Sequence, residues 1–229
     1  MNKIEKTMSP EQTDFLTEMM NIGAGHATTA LTQMLKCRVD TIVPRVTALP
    51  VPHLTTVFSD PSLPVTAVKM GMVGSITGCA FFIVPQEHMR TLAGMVEQAN
   101  AEWLIPRAGP PHPATKSATH IQPSDNLDVS IVTEIANILV GVYMGAVNEF
   151  CKLNIYHTVP AAATDMIQSL LDEVLIQMSS QMQAVLLVEN EFTMEERRLV
   201  TYLLIVPSAE SIQTLVDSIE QARAVCYGR

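Results

Sequence analysis

Phe15, Met19, Ile22, Leu31, Met34 and Leu35 recur at helical spacing, which predicts an amphipathic helix running to about Lys36. Its start is marked by Ser9-Pro10-Glu11-Gln12: Ser9 can cap, Pro10 suits the first helical position, and Gln12 stands where a capping-box partner belongs. Ile131, Ile135, Ile138, Val142, Val147 and Phe150 repeat the pattern, with Asp125 in the register of Ser9 as a cap of different chemistry. A short strand is expected after each helix, over 38–43 and 153–159, closed by Pro44 and Pro160. Further strands are expected over 65–73 and 76–84, and again over 183–192 and 197–206, with a closing helix over 86–98 and 208–222.

The two sets of elements are copies. A shift of 116 residues lays Glu134 on Glu18, Asn137 on Asn21, Gly141 on Gly25, Lys152 on Lys36 and Pro160 on Pro44. The register then slips by six, so that Ile205-Val206-Pro207 falls on Ile83-Val84-Pro85. The chain reads as one duplicated domain: a first repeat over 9–104, a proline-rich linker over 105–125 and a second repeat over 126–226. The expected fold is α+β, with two pseudo-twofold-related repeats sharing a mainly antiparallel sheet of about six strands and a long site-bearing helix in each repeat. The halves differ where Ile167, Leu170, Leu171, Val174, Leu175 and Met178 make an amphipathic helix from Asp165 to Ser179, against a proline-rich loop over 50–64.

A polar ridge breaks each apolar helix. Asp14, Glu18 and Asn21 are four and three apart and share one face, as do Ser130, Glu134 and Asn137. Asparagine and glycine in mid-helix cost about 0.5–1 kcal/mol each relative to alanine, which a purely structural helix could avoid. Gly25 and Gly141, one turn beyond each Asn, are expected to let another backbone approach. A solvated face or a loop cap is the bland alternative. Against it, the neighbours Gly23-Ala24 have become Leu139-Val140, whereas the Glu and Asn are kept.

Charge narrows the function. Lys plus Arg number 14 and Asp plus Glu 23, a net charge of −9, which argues against nucleic acid or an anionic membrane as partner. Cys37, Cys79, Cys151 and Cys226 are scattered, with no metal-ligand spacing. Residues 1–8 form no apolar signal, and the densest apolar run, 199–206, is too short to span a bilayer. A cytoplasmic protein with reduced thiols is expected. Gly23-Ala-Gly25 is a weak dinucleotide signal, because it lies inside a predicted helix.

Asp14-x3-Glu18-x2-Asn21-x22-Pro44 and Ser130-x3-Glu134-x2-Asn137-x22-Pro160 resemble the signature of the CheC, CheX and FliY phosphatases of bacterial chemotaxis. Two motifs with no added switch domain look most like CheC. The resemblance implies hydrolysis of the aspartyl phosphate of a CheY-type response regulator. Asn21 and Asn137 would position a water, Glu18 and Glu134 would reach the regulator's lysine, and Asp14 and Ser130 would support them. No metal of its own is implied, since Mg²⁺ comes with the regulator. A CheD-like deamidase is an implied partner for the stretch from Asp165 to Ser179. The competing reading is a non-catalytic chemotaxis or flagellar protein that sequesters phosphorylated regulator or a CheD-like partner.

Overall fold

The computed structural model describes residues 8–58, 60–99, 123–177, 184–194 and 197–228. Helix α1 (Pro10–Leu35) starts in the expected capping box: Gln12 N–H donates to Ser9 Oγ, and Ser9 N–H donates to Gln12 Oε1 at 2.9 Å. Its counterpart α3 (Pro123–Cys151) begins two residues before Asp125, so Asp125 lies inside the helix and does not cap it. The end of the expected linker is therefore helical, and its remainder, 105–122, lies outside the described residues.

Both helices stop on a left-handed lysine, Lys36 at φ 52° and Lys152 at φ 54°. That conformation costs a residue with a Cβ roughly 1–2 kcal/mol. Lys36→Gly or Lys152→Gly should therefore raise the unfolding free energy by about 0.5–1 kcal/mol, after glycine's extra unfolded-state entropy is discounted. Urea titration reads this, and an unshifted midpoint would refute it. The chain then turns into the sheet through equivalent contacts: Val39 N–H donates to Thr32 Oγ1 at 3.3 Å, and Ile155 N–H to Asn148 Oδ1 at 2.8 Å.

The strands are β1 (Val39–Pro50), β2 (Pro64–Gly74), β3 (Gly78–Pro85), β4 (Ile155–His157), β5 (Ala161–Met166), β6 (Ala184–Met194) and β7 (Arg197–Pro207). They form one antiparallel sheet in the order β1-β6-β7-β3-β2-β4, with β5 also paired to β2. Seven strands appear where about six were expected because β4 and β5 are one copy of β1 interrupted at Pro160. Pro160 lies between β4 and β5, so a strand does stop before it, but Pro44 does not close its strand as anticipated. Pro44 is buried within β1, where the register slips between Ile42↔Glu191 and Arg45↔Glu189. Such a bulge accommodates a residue with no N–H to give the ladder. Exchanging the repeats maps the strand order onto itself. Each repeat's first strand pairs with the other's second, so neither repeat completes a sheet alone.

Alternation along the strands fills two cores. Ala80, Phe82 and Val84 face the core under α1, α2 (Gln86–Ala99), α3 and α5 (Ala209–Tyr227), while Phe81 and Ile83 face the core under α4 (Ile167–Gln177). Helix α4 begins later than expected, because Asp165 and Met166 belong to β5, and Ser179 lies outside the described residues. The stretch 50–64, expected as loop, holds a 3₁₀ turn over Val51–Thr56. By length and composition α3 could cross a membrane, but its Val132, Ala136, Val140 and Tyr143 are fully buried in the helix-covered core.

One buried polar atom in this sheet is unsatisfied: Thr201 Oγ1 has no hydrogen-bond partner among the described residues. Thr201→Val removes the desolvated hydroxyl at nearly constant shape and should stabilise the fold by about 1 kcal/mol in denaturant titration. A destabilised variant would show that the hydroxyl is satisfied in solution.

Candidate functional site

The helical repeat brings each predicted polar set to the surface. On α1, Asp14, Glu18 and Asn21 are exposed, while Phe15, Leu16, Met19 and Met20 between them are buried. On α3, Ser130 and Glu134 are exposed and Asn137 is half-buried, above buried Ile131, Val132, Ile135 and Ala136. Each ridge is therefore held on a rigid helix whose opposite face is fixed by the core, which limits its movement. Among the described residues, no hydrogen bond or ion pair engages the side chains of Asn21, Glu134 or Asn137. Their polar atoms are available to a partner.

Two expectations about the surroundings change. Ile22 was placed on the apolar face but is 41% exposed, directly beside Asn21. A Cβ at Gly25 would have nothing within 4 Å, and one at Gly141 would meet only the His157 side chain, at 3.3 Å from Nε2. No other backbone comes close to either glycine. Gly25 instead keeps the surface low one turn beyond Asn21. Pro44 and Pro160 serve the strand geometry described above.

The sequence reading missed one residue at the site. Tyr227, the last residue of α5, donates its hydroxyl hydrogen bond to Glu18 Oε2. Its ring meets Phe15 edge-on, with centroids 5.9 Å apart. Helix α5 is held beside α1 again at Gln12, whose Nε2 donates to Glu220 Oε2 at 3.1 Å, and Arg223 pairs with Glu220 at 2.6 Å. Contacts seven residues apart on α5 and six apart on α1 show that the two helices run in the same direction. The hydrogen bond to Glu18, with partial desolvation and the Glu18 charge behind it, raises the Tyr227 pKa above the ordinary tyrosine value, so the phenol stays a donor. No local pattern could have announced this contact, since its partners lie 209 residues apart.

No disulfide joins Cys37, Cys79, Cys151 and Cys226; Cys151 and Cys226 line one surface pocket, and burial, with Cys226 nearby, pushes the Cys151 thiol up to about 11. Among the described residues, no group of three or more His, Cys, Asp and Glu side chains could hold a metal ion.

These features define a class of protein: a duplicated α+β fold that displays one Asp/Ser–Glu–Asn ridge per repeat on a long surface helix. The CheC-like family model matches residues 11–47 and 129–163, the two helix–strand units that carry the ridges. The chain is 29% identical over 211 residues to the CheY-P phosphatase CheC of Bacillus subtilis (strain 168), across 90% of this chain and 92% of that protein. The X-ray crystal structure of Thermotoga maritima FliY shares the fold, with a TM-score of 0.68 at 18% identity, covering 94% of this chain and 98% of that one. A chain in the crystal structure of the FliM–SpeE complex from H. pylori is also similar, with a TM-score of 0.64 at 10% identity and coverage of 94% and 98%.

Proposed function

We propose that the chain is a phosphatase that hydrolyses the aspartyl phosphate of a CheY-type response regulator, working through Glu18 with Asn21 and through Glu134 with Asn137. The observation that carries this reading is the pair of exposed Glu–x–x–Asn ridges whose Asn carboxamides have no partner within the described chain. The B. subtilis relative named as a CheY-P phosphatase supports the choice of substrate.

The chemistry follows from what an Asn can do. A carboxamide is a poor base, but it can accept a hydrogen bond from a water and donate another, which fixes the water's direction. An acyl phosphate is already reactive, and a water held in line with the leaving oxygen is what it lacks. The water oxygen bonds to phosphorus as the bond to the aspartyl oxygen breaks. Aspartate leaves as a carboxylate, and the water's proton ends on the released phosphate. Mg²⁺ and the lysine belong to the regulator, and Glu18 or Glu134 receives that lysine as an ion pair that seats the helix. Asp14 and Ser130 stand one turn earlier and support the Glu. The low surface at Gly25 and the exposed Ile22 give the regulator an open, partly apolar landing beside Asn21.

The test is the decay of a phosphoryl-labelled regulator with and without the chain, with Asn21→Ala/Asn137→Ala as control. Accelerated decay that disappears in the control supports the proposal. A chain that binds the phosphorylated regulator and slows or leaves unchanged its decay is a sequestering protein instead.

A further inference from the structure

Glu18 and Glu134 hold the same register in the two repeats, yet their surroundings differ. Glu18 accepts a hydrogen bond from Tyr227, and Glu134 has no hydrogen-bond or ionic partner among the described residues.

Tyr227 is fixed from three sides. Its ring packs on Phe15, and the Gln12–Glu220–Arg223 cluster two turns earlier holds α5 against α1. Gly228 then ends the helix in a left-handed turn (φ 68°), its N–H donating to Ala224 O at 3.0 Å. A phenol held in this way aims the Glu18 carboxylate before any partner arrives. The bond uses one position on Oε2, and a carboxylate offers about four lone-pair directions. Oε1 therefore stays open to a cation. Tyr227 itself is 54% exposed.

We propose that Tyr227 is a positioning residue of the first site: it pre-orients Glu18 for an ammonium group on the docking regulator and offers its exposed ring edge to the same partner. The idea rests on the function proposed above. Pre-orientation removes part of the rotamer entropy that a free glutamate loses on binding, so its effect falls on binding of the regulator and little on the chemical step. The two sites then differ: the first is preformed, and the second orders its Glu only on contact.

The test uses single-site chains. In an Asn137→Ala background, where only the first site turns over, Tyr227→Phe keeps the ring and removes the hydroxyl. KM for phosphorylated regulator should rise about five-fold, with kcat within about two-fold. In an Asn21→Ala background the same substitution should not reproduce the KM rise. An unchanged or lowered KM in the first background overturns the proposal, the lowered value marking Tyr227 as a shield over Glu18. An equal rise in both backgrounds overturns it as well, by exposing a general structural effect, as does an Asn137→Ala chain with no turnover. If Asn21→Ala/Asn137→Ala keeps the parental rate, the functional reading itself fails and takes this one with it. If that control is inactive and KM does not move, only the role of Tyr227 is lost.

Discussion

Alanine at both Asn21 and Asn137 should leave a folded chain that still binds phosphorylated regulator but dephosphorylates it at least about 100-fold more slowly. Loss of structure cannot mimic this result. Asn21 is exposed and Asn137 half-buried, neither side chain makes a hydrogen bond within the described residues, and alanine is the better helix former. The thermal midpoint should hold or rise. The size follows from the work assigned to the carboxamide: one pre-aimed hydrogen-bonding group at a reacting centre is commonly worth about 10²–10³ in rate. Single variants should lose only part of the activity, because each repeat carries a complete ridge and the two rates add. Labelled-phosphate release over time, beside a binding titration with regulator carrying Mg²⁺ and beryllium fluoride, separates turnover from docking. A double variant at parental rate removes the Asn residues from the mechanism. One that loses rate and binding together turns them into docking residues.

The ridges were legible in the sequence because helix geometry is local: a spacing of four and three puts Asp14, Glu18 and Asn21 on one face wherever the helix lies. The second repeat carries the same spacing, and the Ser9 box is equally local. What was misread depended on distant partners. Pro44 reads as a stop until β6 lies beside it and a bulge between Ile42 and Arg45 accommodates the missing N–H. Its copy Pro160 breaks the strand instead, and nothing near either residue says which will happen. Gly25 and Gly141 look like close contacts because glycine so often is one, yet Gly25 faces open space. Tyr227 was invisible for a stronger reason. The apolar pattern of the last helix fades after Ala222, and only the packing of α5 along α1 carries the chain's end to Glu18.

The crossing of α1 and α3 shows the duplicated halves depending on being different, and it makes a sharp prediction. A Cβ at Gly23 would lie 2.9 Å from Tyr143 Cδ1 and 3.4 Å from Ala146 Cβ. The ring cannot step aside freely, since it is fully buried and its hydroxyl donates to Asn190 Oδ1 at 2.5 Å. Under the repeat shift, Gly23 corresponds to Leu139 and Tyr143 to Ala27, so a small residue and a large one have exchanged places between the repeats. What reads along the chain as divergence of Gly23-Ala24 into Leu139-Val140 is complementary packing of two helices in matching register. Gly23→Leu should therefore lower the unfolding free energy by about 3 kcal/mol, from overpacking together with strain on the Tyr143–Asn190 bond. Adding Tyr143→Ala restores the large-against-small pattern and should recover part of that loss. Recovery stays incomplete because Asn190, only 1% exposed, then loses its donor. The two substitutions should be strongly coupled in a double-mutant cycle followed by urea unfolding. Additive effects, or a Gly23→Leu chain with the parental midpoint, would mean the helices can separate at this point without loss.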